Sequence, residues 1–113
     1  MATNEAIILK TYALLLYLVP IVGKFPRDQK FLVGDRIENK VLDILDLFIE
    51  AYYSPKSEKA RLLKSANIRL EQLRYLIRLT HDLRSINHEK YGSISDKIDE
   101  VGRMCGGWLK AVS

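Results

Sequence analysis

Residues 34–51 read GDRIENKVLDILDLFIEA, and this stretch decides the fold class. Its small and apolar residues recur at alternating spacings of three and four: Gly34, Ile37, Val41, Ile44, Phe48 and Ala51. That period places them along one side of an α-helix, with charged residues at many of the remaining positions. The pattern predicts an amphipathic helix that packs against other helices through this apolar seam.

Three other segments carry a seam with the same period. The first segment has it at Ile8, Thr11, Leu15, Leu18 and Val22. The third has it at Leu63, Ala66, Leu70, Leu73, Ile77 and Thr80. The fourth has it at Ile94, Ile98, Val101, Cys105, Trp108 and Val112. Each segment is therefore predicted to be a helix with one face turned to a shared core.

Glycine and proline mark the ends of these segments. Gly23 and Pro26 separate the first from the second, and Pro55 opens the third. Pro20 lacks the N–H that would bond the carbonyl of Leu16, so we expect a kink or a loosened last turn in the first helix.

The start of the fourth helix has two candidate caps. Ser93-x-x-Asp96 resembles a capping box, whereas Asn87 would start the helix earlier and carry it through Tyr91. With either start, the short connections predict an all-α protein. Its expected architecture is an antiparallel up-down-up-down four-helix bundle forming a single domain over residues 1–113.

Composition bounds the function classes. The chain has 113 residues, 48% hydrophobic and 28% charged, which is typical of one globular domain. Its one cysteine, Cys105, excludes an intrachain disulfide and an all-cysteine metal site, and fits a reducing cytoplasm. The apolar run at residues 13–22 contains Pro20 and is shorter than the about 20 residues a membrane span needs. Residues 1–8 carry Glu5 and no basic side chain, so we expect no signal peptide, no membrane contact and a cytoplasmic protein.

The sequence offers no catalytic constellation. His81, His88 and Cys105 lack the close spacing of metal ligands, and Cys105 falls on an apolar seam. No phosphate-binding glycine-rich loop is present, since Gly106 and Gly107 lie inside the fourth segment and are predicted to be packing residues. We therefore predict a protein that is not an enzyme and has no cofactor or metal.

A second set of apolar residues lies off the seams. The first segment is apolar almost all round, and the others add Leu42, Ile49, Tyr53, Ile68, Tyr75 and Leu79. Aligned apolar positions on two sides of a helix favour self-association, although scattered exposed apolar side chains are ordinary on any surface. The candidate subunit-interface residues are Tyr17, Ile68, Tyr75 and Leu79.

Positive charge is concentrated in one part of the chain. Residues 54–90 hold nine bases against four acids, a net charge of +5, while the whole chain carries +4. One helical ridge there comprises Lys64, Asn67, Glu71, Arg74, Arg78 and His81. Basic ridges neutralise phosphates, so the candidate nucleic-acid-binding residues are Arg61, Lys64, Arg69, Arg74, Arg78 and Arg84. The alternative is a solvated face with a local ion pair at Glu71.

Short motifs resemble one known family. Residues 25–31 (FPRDQKF) are followed by residues 34–38 (GDRIE), by residues 73–79 running into residues 81–83, and by residues 100–110 (EVGRMCGGWLK). In this order and spacing they resemble the accessory variability determinant (Avd) proteins of diversity-generating retroelements. The resemblance runs from end to end of the chain.

The resemblance implies an assembly and a function. Avd proteins are four-helix bundles that form a homopentameric, barrel-like ring with a basic surface. The implied partners are the retroelement's reverse transcriptase and its template-repeat RNA, or an RNA/DNA hybrid. The implied role is non-catalytic support of mutagenic cDNA synthesis.

A sister group is encoded in intervening sequences of bacterial large-subunit ribosomal RNA genes. Its members carry an Asn-Ile-Ala-Glu-Gly-like stretch in the second helix, where residues 41–45 here read VLDIL, so this match fails. The alternative function that remains is a structural oligomeric scaffold with incidental surface charge.

Overall fold

Four helices joined by short loops make up the computed structural model, which describes residues 3–113 and the side chains from Asn4 onward. Helix α1 spans Thr3–Gly23, α3 spans Lys56–Asp82 and α4 spans His88–Val112. Between them α2 runs without a break through Arg27–Gln29, a π-helical turn at Lys30–Gly34, and Asp35–Tyr53. Residues 3–113 contain no β-strand, which confirms the all-α prediction.

The predicted seams of α2, α3 and α4 form the core. All their residues are buried except Val112, which is half-buried at the end of α4. Two buried side chains of the described residues are polar, Thr11 and Thr80. The Thr11 hydroxyl donates to Ile7 O at 2.8 Å, and the Thr80 hydroxyl donates to Ile77 O at 2.7 Å. They therefore enter the core without an unpaired hydroxyl.

The seam predicted for α1 was wrong at two positions. Ile7 and Leu14 are buried, whereas the predicted Ile8 and Leu15 are only partly buried. Because α1 is apolar on nearly every side, hydrophobic period alone could not select the inward face. Packing against α2 and α4 selects it instead.

Polar contacts join helices that neighbour each other. Between α1 and α4, Lys10 pairs with Glu100 at 2.7 Å, and the Tyr17 and Ser93 hydroxyls share a hydrogen bond of 2.9 Å. Numbering therefore rises along α1 as it falls along α4. Lys40 Nζ likewise joins α2 to α3 by donating to Gln72 Oε1 at 2.9 Å.

The helix ends show how the loops are held. Asn87 caps α4, its side-chain oxygen accepting from Lys90 N at 2.7 Å, so of the two predicted starts the earlier one is confirmed. At the end of α2, Lys59 Nζ donates to the carbonyls of Ala51 at 2.6 Å and Tyr52 at 3.1 Å. The Ala51 carbonyl also accepts from Ser54 N at 3.3 Å, so Lys59 adds to the bonds that satisfy this helix end. Helix α1 continues three residues beyond Pro20 to Gly23.

Gly34 ends the π-helical turn where α2 crosses the end of α1. A Cβ on Gly34 would lie 2.7 Å from Val22 Cγ1 and 3.5 Å from Phe25 Cδ2. Both neighbours are buried, and the valine is branched at Cβ and has no flexible end to move aside. Glycine is therefore required here by a close approach of two helices.

Gly34→Ala should destabilise the protein by about 1–3 kcal/mol, the usual cost of overpacking a filled core. Urea unfolding followed by circular dichroism measures the change. Gly92→Ala in α4 is the matched control, because a Cβ there meets nothing within 4 Å and alanine should stabilise the helix by about 0.5–1 kcal/mol. Equal stability of the two variants would contradict the close approach.

Candidate nucleic-acid and subunit interfaces

Five of the six predicted nucleic-acid-binding residues lie on α3, and Arg84 follows its end. Lys64, Arg61, Arg78 and Arg84 are exposed, whereas Arg69 and Arg74 are half-buried. Helix α3 thus carries five of these bases along its length.

Several of these bases have partners within the protomer. Arg61 Nη2 lies 2.8 Å from Glu58 Oε1, and this contact raises the pKa of the Arg61 guanidinium further above its ordinary range. Arg78 Nε and Asp82 Oδ2 are 3.9 Å apart, and Arg69 Nη1 donates to Ser65 Oγ at 2.8 Å. The ion pairs of Arg61 and Arg78 are exposed. Pairs of this kind are weak and are screened by salt, so phosphates can compete for these two guanidinium groups.

Arg74 differs from the rest because it ties α3 to α4. It contacts Glu71 on its own helix at 3.0 Å and Asp99 on α4. Burial alone would lower the pKa of Arg74, but its bonds to Asp99 and Glu71 outweigh burial and raise it. A Cβ at Gly102 would lie 3.0 Å from Arg74 Nη2, so the glycine leaves room for the guanidinium. The helical spacing predicted the Glu71 pair, but Asp99 is 25 residues away and no local pattern marks it.

Helix α1 exposes an apolar stripe that the other described residues leave uncovered. Leu9, Tyr12, Leu16 and Val19 follow at spacings of three and four and are 46–58% exposed. Their period is that of a helix seam, so a second helix could cover them. We call these four residues the α1 stripe.

The predicted interface residues divide into two groups. Ile68, Tyr75 and Leu79 are exposed on α3, Tyr75 at 70%. Tyr17 is half-buried within the protomer, with its hydroxyl bonded to Ser93 and the Lys97 ammonium 4.7 Å from its ring centroid. The sequence interpretation also missed Phe31 and Leu32, which the π-helical turn leaves exposed.

Helix α1 has the length and composition of a membrane span. Taken over Asn4–Gly23, the helix is long and apolar enough to cross a bilayer, and 28% of its most apolar window is buried. The sequence argument from residues 13–22 alone was therefore wrong about length, because it counted only the uninterrupted apolar run. Core helices of globular proteins meet the same criterion, and α1 packs its Ile7–Val22 face into the bundle.

The thiol of Cys105 lies in the core and is unreactive. Cys105 is buried with Sγ 3.6 Å from the Leu63 carbonyl, and burial raises the pKa of its thiol to about 11. The thiol therefore stays protonated at neutral pH and is a poor nucleophile. Within residues 3–113, no group of three His, Cys, Asp or Glu side chains could hold a metal ion.

The glycines of α4 correct another prediction. Gly106 and Gly107 are exposed, and a Cβ at either would meet nothing within 4 Å. Neither is a packing residue within the protomer. Trp108 beside them is buried, as predicted.

Comparison with known proteins identifies relatives by sequence pattern and by fold. The bAvd-like family model matches residues 6–112. The fold is similar to the crystal structure of a protein of unknown function from the S23 ribosomal protein family of Bacteroides thetaiotaomicron VPI-5482. The TM-score is 0.87 at 18% identity, covering 96% of this chain and 99% of the other. No curated protein matches the sequence.

Proposed function

Because the chain belongs to the bAvd-like family, we propose that it is a non-catalytic accessory subunit of a diversity-generating retroelement. In this role it binds the reverse transcriptase and the template RNA, or an RNA/DNA hybrid, and supports mutagenic cDNA synthesis. The observation that carries the proposal is the family match over residues 6–112, nearly the whole chain. We also propose a cytoplasmic location, which fits the single cysteine, Cys105, and its free thiol.

Assembly is the first part of the proposal. The protomer is an up-down-up-down bundle. The Lys10–Glu100 and Tyr17–Ser93 contacts support this topology, because they require α1 and α4 to run antiparallel. Five copies form a ring, as the family resemblance implies, and the exposed α1 stripe gives the apolar surface that such contacts need. Ile68, Tyr75 and Leu79 on α3 would take part.

Nucleic-acid binding is the second part. Lys64 and Arg78 are exposed on α3, and the Arg78 side chain is 66% exposed. Repetition of this helix around a ring would multiply its field, which favours association with a polyanion. Contacts with phosphates carry no sequence information, so selectivity would come from RNA shape.

Lys64→Ala combined with Arg78→Ala should flatten the salt dependence of RNA binding. Each phosphate contact removed lowers the slope of log affinity against log salt by about 0.7–0.9 units. Fluorescence anisotropy with template RNA at several salt concentrations measures the slope. Arg74 is left intact because its contact with Asp99 joins two helices.

Lys30→Ala combined with Arg36→Ala is the matched control, since both side chains are exposed on α2 and the lost charge is equal. The control should shift the slope less than the α3 pair. Equal slopes for the wild type and the Lys64/Arg78 variant would contradict a role for this face in RNA binding.

The second candidate function is an oligomeric scaffold. It is favoured by the ion pairs that already engage Arg61 and Arg78, since a paired base has less reason to bind a phosphate. A scaffold would assemble but would bind neither RNA nor reverse transcriptase. Copurification of the chain with the reverse transcriptase of a diversity-generating retroelement distinguishes the two functions.

A further inference from the structure

Aromatic rings gather where α3 ends and α4 begins. The rings of His81 and Tyr91 stack with centroids 4.5 Å apart and planes at 23°, and the His88 ring lies 5.6 Å from that of His81. His81 is in the last turn of α3, whereas His88 and Tyr91 are in the first turn of α4. We call these three rings, with Arg78 and Arg84, the corner cluster.

The loop that holds the cluster is well defined by hydrogen bonds. Arg84 N donates to His81 O at 2.9 Å, and Ser85 N donates to Thr80 O at 2.8 Å. Arg84 has φ 63°, the left-handed conformation in which a helix end normally has glycine. An arginine there accepts the steric cost of a left-handed backbone and lines the same depression as the rings of His81 and His88.

Two surface depressions adjoin the stacked pair. One, of about 500 Å³, is lined by His81, Arg84, Asn87 and His88. The other, of about 220 Å³, is lined by Arg78, Tyr75 and Tyr91. The first offers a ring face together with the side-chain amide of Asn87. The oxygen of this amide accepts from Lys90 N, and its N–H groups can donate to the edge of a planar ligand.

We propose that the corner cluster binds an unpaired nucleotide of RNA. The base stacks against His88 in the larger depression, and Arg78 and Arg84 contact the flanking phosphates. Single-stranded nucleic acid is recognised by this combination of aromatic faces and cations, because every base has a π-face and a helical duplex hides it. The acid in this depression, Asp82, lies 3.9 Å from Arg78 Nε and 3.6 Å from His81 Nδ1. It is exposed, so these contacts are weak, and Arg84 adds a second cation to the same depression. This inference rests on the proposed RNA binding and gives it a strand preference.

His88→Ala tests the inference with least risk to the fold, since His88 is exposed at the start of α4. The probes are a single-stranded RNA of about 12 nucleotides carrying 2-aminopurine and a blunt RNA duplex. The variant should bind the single strand about 5- to 100-fold more weakly, the loss expected for one stacked base. Duplex binding and the salt slope should not change, because Arg78 and Arg84 remain in place. His88→Phe keeps a ring and should restore affinity and 2-aminopurine quenching.

Tyr53→Ala is the control. Tyr53 is an exposed aromatic residue at the C-terminal end of α2, at the opposite end of the bundle from the α3–α4 loop. It should leave single-strand binding unchanged. Unaltered single-strand binding by His88→Ala overturns the inference alone, as does an equal loss for single strand and duplex. If His88→Ala loses binding to the reverse transcriptase but keeps binding to RNA, the inference is also overturned, since the cluster would then be a protein contact. Wild-type protein that binds neither RNA overturns the proposed RNA binding as well.

Discussion

Trp108→Ala should lower the free energy of unfolding by about 3–5 kcal/mol, the cost of removing a large aromatic side chain from a packed core. Trp108 is 4% exposed, and its ring centroid lies 6.4 Å from that of Phe48. The Lys59 ammonium lies 5.8 Å from the same ring while it binds the carbonyls that end α2. The change would therefore loosen the contact between α2, α3 and α4 together. The variant loses the chain's single tryptophan, so tryptophan fluorescence cannot follow its unfolding. Urea unfolding followed by circular dichroism measures the change instead.

Trp108→Phe is the matched control. It keeps an aromatic ring, and it removes the indole N–H, which has no hydrogen-bond partner among the described residues. Because no hydrogen bond is lost, this variant should cost clearly less than alanine. Unchanged stability of Trp108→Ala would contradict the burial of this side chain.

Leu16→Glu should dissociate the assembly into 13.0 kDa protomers. Leu16 is 58% exposed at the centre of the α1 stripe, between Tyr12 and Val19. If a neighbouring protomer covers the stripe, a carboxylate there would be buried without a partner, at a cost of several kcal/mol. Because the side chain is exposed in the protomer, folding should be preserved. Light scattering without detergent at micromolar concentration measures the mass.

Leu16→Met is the control and should leave the mass unchanged, since it keeps an apolar side chain of similar volume. Tyr75→Glu tests the α3 side in the same way and should weaken assembly. A wild-type mass of one protomer would contradict the proposed ring. Aggregates that detergent disperses would indicate that lipid covers the stripe.

The sequence alone determined the helical class and the inward faces of α2, α3 and α4. In these helices, apolar seams alternate with charged positions, so only one face can be buried without burying charge. In α2 the charged Asp43 lies between Val41 and Ile44, and in α3 Glu71 lies between Leu70 and Leu73. Each helix can therefore bury its apolar residues in only one orientation. The exposed bases of α3 followed for the same reason, because uncompensated charge is excluded from a core.

Only the tertiary structure decided the rest. In α1 the face that holds Ile7 and Leu14 is no more apolar than the face that holds Ile8 and Leu15, so packing against two neighbours set the register. The pairing of Arg74 with Asp99 joins residues far apart in sequence. The close approach of Gly34 to Val22 and the stack of His81 on Tyr91 also join two different helices. Periodicity reports which side of a helix avoids water, whereas contacts between helices depend on rotation and axial position, which no single helix encodes.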